Sequence, residues 1–473
     1  MDAAIAPELP HTLEWLNLAG SLRLAQLRGR VCLLAFVSAG SAWSRQRLQE
    51  LARLQARHPA RLQVLALHAP RFEHERDPRR AARQLGRQAL NFPVAHDRDW
   101  TAWQHFGIDA WPTVLLLDGD GRIRGRFVGA SGMRDVEART LALLEDVGET
   151  GALASPVLRR LNEPAMPLRH PAGLAVDARY LYIADSGHHR VLECDHPGRV
   201  LRQFGSGDPG LIDGAPDVAA FQRPQGLCLQ RDALYVADSG NHAVRRIDLR
   251  SGGVATVLGN GSPGVPAAGA VADARAAPLD QPRAVALAGE ALLVACCGDN
   301  RVWRYHLGRH VLSLAAGSGA MAVRDGAGAE AAFAEPVALA VVQQRVYVCD
   351  GAGSAIRMLD ERTGQVSTLV GVDAWEHGRA DGVRHDARLQ DPQAIALDPD
   401  APVLWIADAG NDLLRTLRLG GGELATWSLP QRLHGPGGLA VAAGAVWIAD
   451  TDAHAILRLD TRSGALQRVP VGE

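Results

Sequence analysis

A string of residue types recurs six times in the second two-thirds of the chain, and internal repeats constrain a fold more than any local signal. Its first copy is Pro171–Asp185, PAGLAVDARYLYIAD. It returns at Pro224–Asp238, Pro282–Cys296, Pro336–Asp350, Pro392–Asp408 and Pro436–Asp450, with the prolines 53, 58, 54, 56 and 44 residues apart. Each copy opens Pro-x-Gly/Ala. A short apolar run such as Leu174-Ala175-Val176 follows, then a turn, then a run rich in β-branched and aromatic residues such as Leu404-Trp405-Ile406. A third run alternates, as in Ile356–Asp360, and a fourth closes the unit, as in Val366–Val370. Short runs of these types between Gly, Asp and Asn read as strands. Four strands per unit at this period describe a β-propeller, here of six blades. An apolar residue stands three places before every blade proline (Leu168, Phe221, Leu279, Phe333, Leu389, Leu433) and is expected to plug the packing between blades.

At 473 residues the chain is too long for one core. Formal charge is −2, and every one of the 50 basic residues is arginine. The absence of lysine excludes Schiff-base and P-loop lysine chemistry and points to a high-GC, bacterial source. Residues 1–150 hold 20 arginines against 17 acids and the remainder 30 against 35, so neither part has the basic excess of a nucleic-acid binder. No apolar run approaches the length of a membrane span. The N-terminal MDAAIAPELPHTLEW lacks the basic and apolar regions of a secretory signal, so none is expected. Most of the six cysteines (32, 194, 228, 296, 297, 349) lie within expected strands, without a disulfide spacing. They read as small buried residues of a reducing compartment, which predicts a cytoplasmic protein.

The first part reads β-α-β-α-(α)-β-β-α. Strands are expected at 31–37, 61–67, 114–117 and 122–128, and helices at 44–58, 77–89, 100–106 and 133–147. Residues 10–148 resemble the thioredoxin-like fold of the redoxin type. The resemblance rests on the strand before the active-site loop, on the His96–Thr113 stretch "HD…W…FGIDAWPT", and on the Gly-bearing last hairpin. It implies a cis Pro112 beside the active-site loop. Where that family carries Cys-x-x-Cys, the loop here is Ser38-Ala39-Gly40-Ser41-Ala42-Trp43-Ser44, which places Ser41 and Ser44 at the two cysteine positions and Ala35 at the usual buried acid. The chemistry needs a thiolate of lowered pKa at a helix N-terminus. Serine supplies none, so this is a degenerate redox site of Ser41, Ser44 and Pro112. One of the serines is expected to cap the helix. Trp43, Trp111, Pro112 and Thr113 form either a hydrophobic plug or a candidate peptide groove without chemistry.

Residues 149–169 carry Gly, Ser and prolines and read as a linker, with a short element at Val157–Leu161. Residues 170–473 resemble NHL-repeat β-propellers through the blade pattern seen in Leu234–His242. The order of the two parts, with Asp-Gly…Ala…Phe/Leu inserts at Asp213–Phe221, Asp325–Phe333 and Asp381–Leu389, is similar to the NHL repeat-containing protein 2 type. The fold expected is therefore an α/β thioredoxin-like domain (1–148) followed by an all-β six-bladed NHL propeller.

One aspartate per blade at the strand end (Asp185, Asp238, Asp350, Asp408, Asp450) reads as structural; blade three has Cys296 there. The histidines just after these acids (His188, His189, His242, His454) fall on three of six blades, short of the three converging ligands a catalytic metal needs. The residues before the prolines, His170, Arg223, Gln281, Glu335 and Asp391, with Gly435 in blade six, form a candidate channel rim. The expected function is a non-enzymatic protein- or peptide-binding scaffold with no cofactor, no metal and no nucleic-acid partner. The alternatives are a metal-assisted lyase or hydrolase in the propeller channel, or a residual role in a thioredoxin-type pathway.

Overall fold

The structure, a computed structural model, describes residues 4–88, 90–129, 132–146, 166–267 and 269–472. The linker expected at 149–169, with its element at Val157–Leu161, lies outside the described residues up to 165. Two compact units divide the chain, Met1–Pro164 and Ala165–Glu473.

The first unit contains β1 (Glu14–Trp15), β2 (Val31–Val37), α1 (Ala42–Arg57), β3 (Leu62–His68), α2 (Pro78–Gly86), β4 (Val94–His96), α3 (Thr101–His105), β5 (Thr113–Leu117), β6 (Ile123–Val128) and α4 (Met133–Asp146). The sheet order is β1-β4-β3-β2-β5-β6. β2 and β3 run parallel, as do β3 and β4, while β5 pairs antiparallel with both β2 and β6. Every residue of β2 is buried, as an unbroken apolar run demands of a central strand covered on both faces. Cys32, Leu34 and Phe36 enter one core, and Val31, Leu33, Ala35 and Val37 the other. Leu48, Leu51 and Leu54 of α1 cover the second core at helical spacing. Asp77 caps α2, accepting from the Arg79 N–H at 2.9 Å with Pro78 at the first helical position. The sequence reading lacked β1 and β4; at two and three residues they are too short to show periodicity.

The second unit comprises six antiparallel sheets. Blades one, two, three and six have four strands each, and blades four and five gain a fifth from their inserts, at Gly326–Ala327 and Gly382–Val383. The strand that starts at or just after each repeat proline is the innermost. The small residue of Pro-x-Gly/Ala has a direct cause there. A Cβ on Gly173 would run into the Gln225 carbonyl, and one on Gly226 would stand 2.8 Å from Ala284 Cα in the next blade. A Cβ on Gly438 would collide with the Ala172 carbonyl, where blade six meets blade one. The Thr451 hydroxyl adds to the closure, donating to the Pro171 carbonyl at 2.7 Å. The residues three places before the prolines are buried in all six blades, as expected of plugs.

Candidate functional site

In the thioredoxin-like unit, the loop between β2 and α1 is turned inward. Ser41 is buried and caps α1, its Oγ accepting from the Ser44 N–H at 3.3 Å. Ser44 is fully buried, and its Oγ accepts from the Ser38 N–H at 3.2 Å. Beneath the loop lies Glu75, fully buried, from the turn Glu73–Arg76. Its carboxylate accepts from the Ser38 hydroxyl at 3.0 Å and from the N–H groups of Gly40 at 2.5 Å, Arg71 at 2.6 Å and Phe72 at 3.2 Å. A Cβ on Gly40 would come within 2.9 Å of the Glu75 carboxylate, which explains a glycine in the loop. Burial pushes Glu75 up, but the pull of His68, whose Nε2 stands 3.9 Å away, the charge of His74 and the Arg71 N–H outweigh it. The carboxyl is held well below its ordinary range. His68 Nδ1 meets His96 Nδ1 at 2.9 Å, and His96 Nε2 reaches the Arg76 carbonyl at 3.2 Å. Burial, then the charge of His68, pushes His96 down to about 4. His96 is therefore neutral with its proton on Nε2, and His68 donates to it.

The sequence reading placed Ser41 and Ser44 in this loop but missed Glu75, His68 and His96. It looked for the acid in the strand, at Ala35, which is fully buried apolar packing. Glu75 comes instead from a turn with no periodic signal. The Trp111–Pro112 peptide is cis. Trp111 packs on Trp103 and Trp100, with ring centroids 4.4 and 5.2 Å away, and its Nε1 donates to the Ala69 carbonyl at 3.1 Å. Pro112 is buried, as is Thr113, whose hydroxyl donates to the Ala110 carbonyl at 2.7 Å. Of the four groove residues, Trp43 and Trp111 retain partial exposure.

The recurring propeller acids hold the chain together. Asp185, Asp238, Asp350, Asp408 and Asp450 are buried, and each accepts the N–H two places before its blade proline at 2.5–2.8 Å. In blades two, four and five a fully buried arginine seven residues on adds a clamp. Arg245 bonds Asp238 at 3.0 Å and the insert's Asp213 at 2.8 Å. Arg357 joins Asp350 and Asp325, and Arg415 joins Asp408 and Asp381. Each insert aspartate also takes the N–H and hydroxyl of a threonine: Thr256, Thr368 or Thr426. Blade three, lacking the acid, has Trp303 in the arginine's place, with Nε1 donating to Asp299 at 2.9 Å. Burial pushes Asp299 up to about 7.

The pre-proline residues form a ring of backbone clips. His170, Arg223, Gln281, Glu335, Asp391 and Gly435 have φ of 49°, 55°, 49°, 61°, 47° and 57°. Each gives its N–H to a side chain of the preceding blade, in the order His454, His189, His242, Asn300, Ser354 and Asp412. His189, His242 and His454 thus accept through Nδ1. His188 instead bonds Asp185 through Nδ1 at 2.8 Å. The central cavity, of about 110 Å³, is lined by residues after the prolines: Gln225, Arg283, Val337, Gln393 and Gly437, with the strands behind them. None of the five pre-proline rim candidates lines it. Among the described residues no group of three His, Cys, Asp or Glu side chains is placed to hold a metal ion. No described helix is long and apolar enough to cross a membrane.

The NHL repeat family model matches residues 221–247, in blade two. NHL repeat-containing protein 2 of Gallus gallus is 28% identical over 98% of this chain and 71% of its own length. Protein SUPPRESSOR OF QUENCHING 1, chloroplastic, of Arabidopsis thaliana is 29% identical over 98% of this chain, which spans 47% of that protein. The thiol-disulfide oxidoreductase YkuV of Bacillus subtilis is 26% identical over 30% of this chain and 94% of its own length. The chain carries an NHL repeat in a six-bladed β-propeller preceded by a thioredoxin-like unit, and it is similar along nearly its whole length to NHL repeat-containing protein 2.

Proposed function

We propose that the protein is a non-enzymatic scaffold that binds a protein or peptide, with a thioredoxin-like unit that has no redox activity. The observation that carries this reading is the commitment of both loop serines to the loop itself. Ser41 caps α1 and Ser44 holds Ser38, so neither hydroxyl is presented to a substrate. The unit's thiol, at the far end of β2 from the loop, is no replacement. Cys32 is buried in β2, and burial pushes it up to about 12, far from the thiolate that exchange needs. Cys194 is likewise pushed up to about 12 and Cys228 to about 11 by burial. All six cysteines are unpaired, which fits a reducing compartment such as the cytoplasm.

Two features support binding. Trp43, in the first turn of α1, keeps partial exposure. The propeller inserts carry exposed apolar side chains, among them Ile212, Val218, Trp375 and Val383, on long loops of a rigid scaffold. Affinity capture with the full chain tests the reading. A specific partner is expected on the wild type and is to be lost from W43A or W375A at unchanged melting temperature. Capture that survives both substitutions would remove these surfaces from the account.

A further inference from the structure

The inserts of blades two, four and five are built alike. In each, an Asp-Gly turn (Asp213-Gly214, Asp325-Gly326, Asp381-Gly382) gives its carboxylate to the clamp arginine, and the chain then doubles back. The bridges Ile212↔Ala220, Arg324↔Ala332 and Ala380↔Arg388 put the three hairpins in one register. Ile212 therefore corresponds to Arg324 and Ala380, and Val218 to Glu330 and Asp386. The frame needs no apolar pair at these places, because blade four carries an exposed cation and anion there and blade five an alanine and an exposed acid. Blade two carries two large aliphatic side chains instead, and both face water, Ile212 at 51% exposure and Val218 at 56%.

The apolar surface continues sideways. Leu211 is 38% exposed, and a Cβ on Gly261 would stand 2.9 Å from its Cδ2, so Leu211 reaches the insert of blade three. The rim is acidic. Asp208 and Asp217 flank the hairpin in the chain, are exposed, and form no ion pair among the described residues. Asp213 is already held by Arg245 and, at 3.4 Å, by Arg275 of the neighbouring insert. Residues 205–220 contain these three aspartates and no Arg, Lys or His. Clustered exposed aliphatic side chains mark an interaction surface. Carboxylates around them repel a phosphate backbone or an anionic lipid surface and attract cations. The complement is a protein segment that carries both apolar and basic side chains.

We infer that the blade-two hairpin docks a basic amphipathic segment of a partner protein, its apolar side chains on Leu211, Ile212 and Val218 and its cationic heads toward Asp208 and Asp217. The inference rests on the scaffold reading and gives it one surface and one partner chemistry.

The test selects short random peptides, displayed on phage, on the full chain, and then titrates the enriched peptides by fluorescence anisotropy. Enriched peptides are expected to be basic and to carry apolar residues. Their affinity is expected to fall about tenfold in I212R/V218E, which has the residues of blade four at those places. D208N/D217N is expected to weaken binding less and to flatten its salt dependence, and it carries the test if I212R/V218E fails to fold. Four results would overturn the proposal. They are no enrichment, which leaves partner capture to decide the scaffold reading by itself; enriched peptides that are neutral or acidic; undiminished affinity in the folded variants, which moves binding to another surface and leaves the scaffold reading standing; or a dimer of the chain that I212R/V218E dissociates, which makes a second copy the occupant.

Discussion

The β2–α1 loop and the propeller channel occupy the usual functional places of their folds, yet they use polar side chains in opposite ways. In the loop every polar group is turned onto the protein: Ser41 onto α1, Ser44 onto Ser38, and Glu75 onto four donors. In the channel the Arg283 guanidinium lines the cavity and ties blade three to Gln225 of blade two and Gln393 of blade five. The first arrangement stabilises the loop and the start of α1. The second uses polar side chains to bridge one blade to another across the channel. Both folds carry functions set by the site and not by the architecture.

The largest effect that would sharpen this contrast lies in the clamps. R357M leaves Asp350 buried without its cation and should cost about 3–5 kcal/mol in chemical denaturation, since breaking one partner of a buried pair strands the other charge. Loss under about 1 kcal/mol would show that the recurring aspartates do not depend on their arginines.

Next comes Glu75. E75A abandons the Ser38 hydroxyl and the Gly40, Arg71 and Phe72 N–H groups, at about 1–3 kcal/mol for a buried polar group left unpaired. Because the folded carboxyl is held below its ordinary value of 4.5, its contribution is complete above that value and is lost as pH falls below it. Acid melts monitored by the fluorescence of Trp100, Trp103 and Trp111 should show this loss in the wild type, and E75Q should flatten it. An identical acid profile in E75Q would contradict the assignment.

A smaller effect separates a structural serine from a reactive one. S41A removes the cap of α1 and should cost about 1 kcal/mol, read by chemical denaturation.

The smallest effect concerns the clips. His189 accepts the Arg223 N–H through Nδ1, the role Asn300 plays for Glu335. H189N should change stability by less than about 0.5 kcal/mol at neutral pH. Burial, and then the charges of Arg223 and Arg169, lowers the His189 pKa below 6.5. As pH falls through 6.5 the unfolded chain takes up the proton first, so the wild type loses stability where H189N does not. Parallel melting curves from pH 7 to 5 would refute the clip.

Repetition made the propeller legible, because six copies separate a required residue from an incidental one. Pro-x-Gly/Ala could be read as the innermost strand before the crowding at Gly173 and Gly438 was seen. The recurring aspartates read as structural for the same reason. The pre-proline positions recur too, but their backbone N–H carries the repeat, so their side-chain variety pointed to a rim that the cavity does not use. The residue after the proline varies from Ala172 to Arg283 and so gave no sign of lining the channel. In the thioredoxin-like unit the serines and the cis Pro112 were legible by position. Glu75 and the His68–His96 pair were not, because they meet only through the fold, from a turn and two strand ends 28 residues apart. The Arg245, Arg357 and Arg415 clamps stand seven residues after their aspartates, a regularity present in the sequence but hidden among 50 arginines.

The most direct test of the claim that this unit has structure without redox chemistry is insulin reduction by the full chain with dithiothreitol, followed by turbidity. No acceleration over dithiothreitol alone is expected, because Ser41 and Ser44 are bound into the loop and Cys32 is buried. Catalysed precipitation that disappears in C32S would contradict the account by showing a working thiol in the unit.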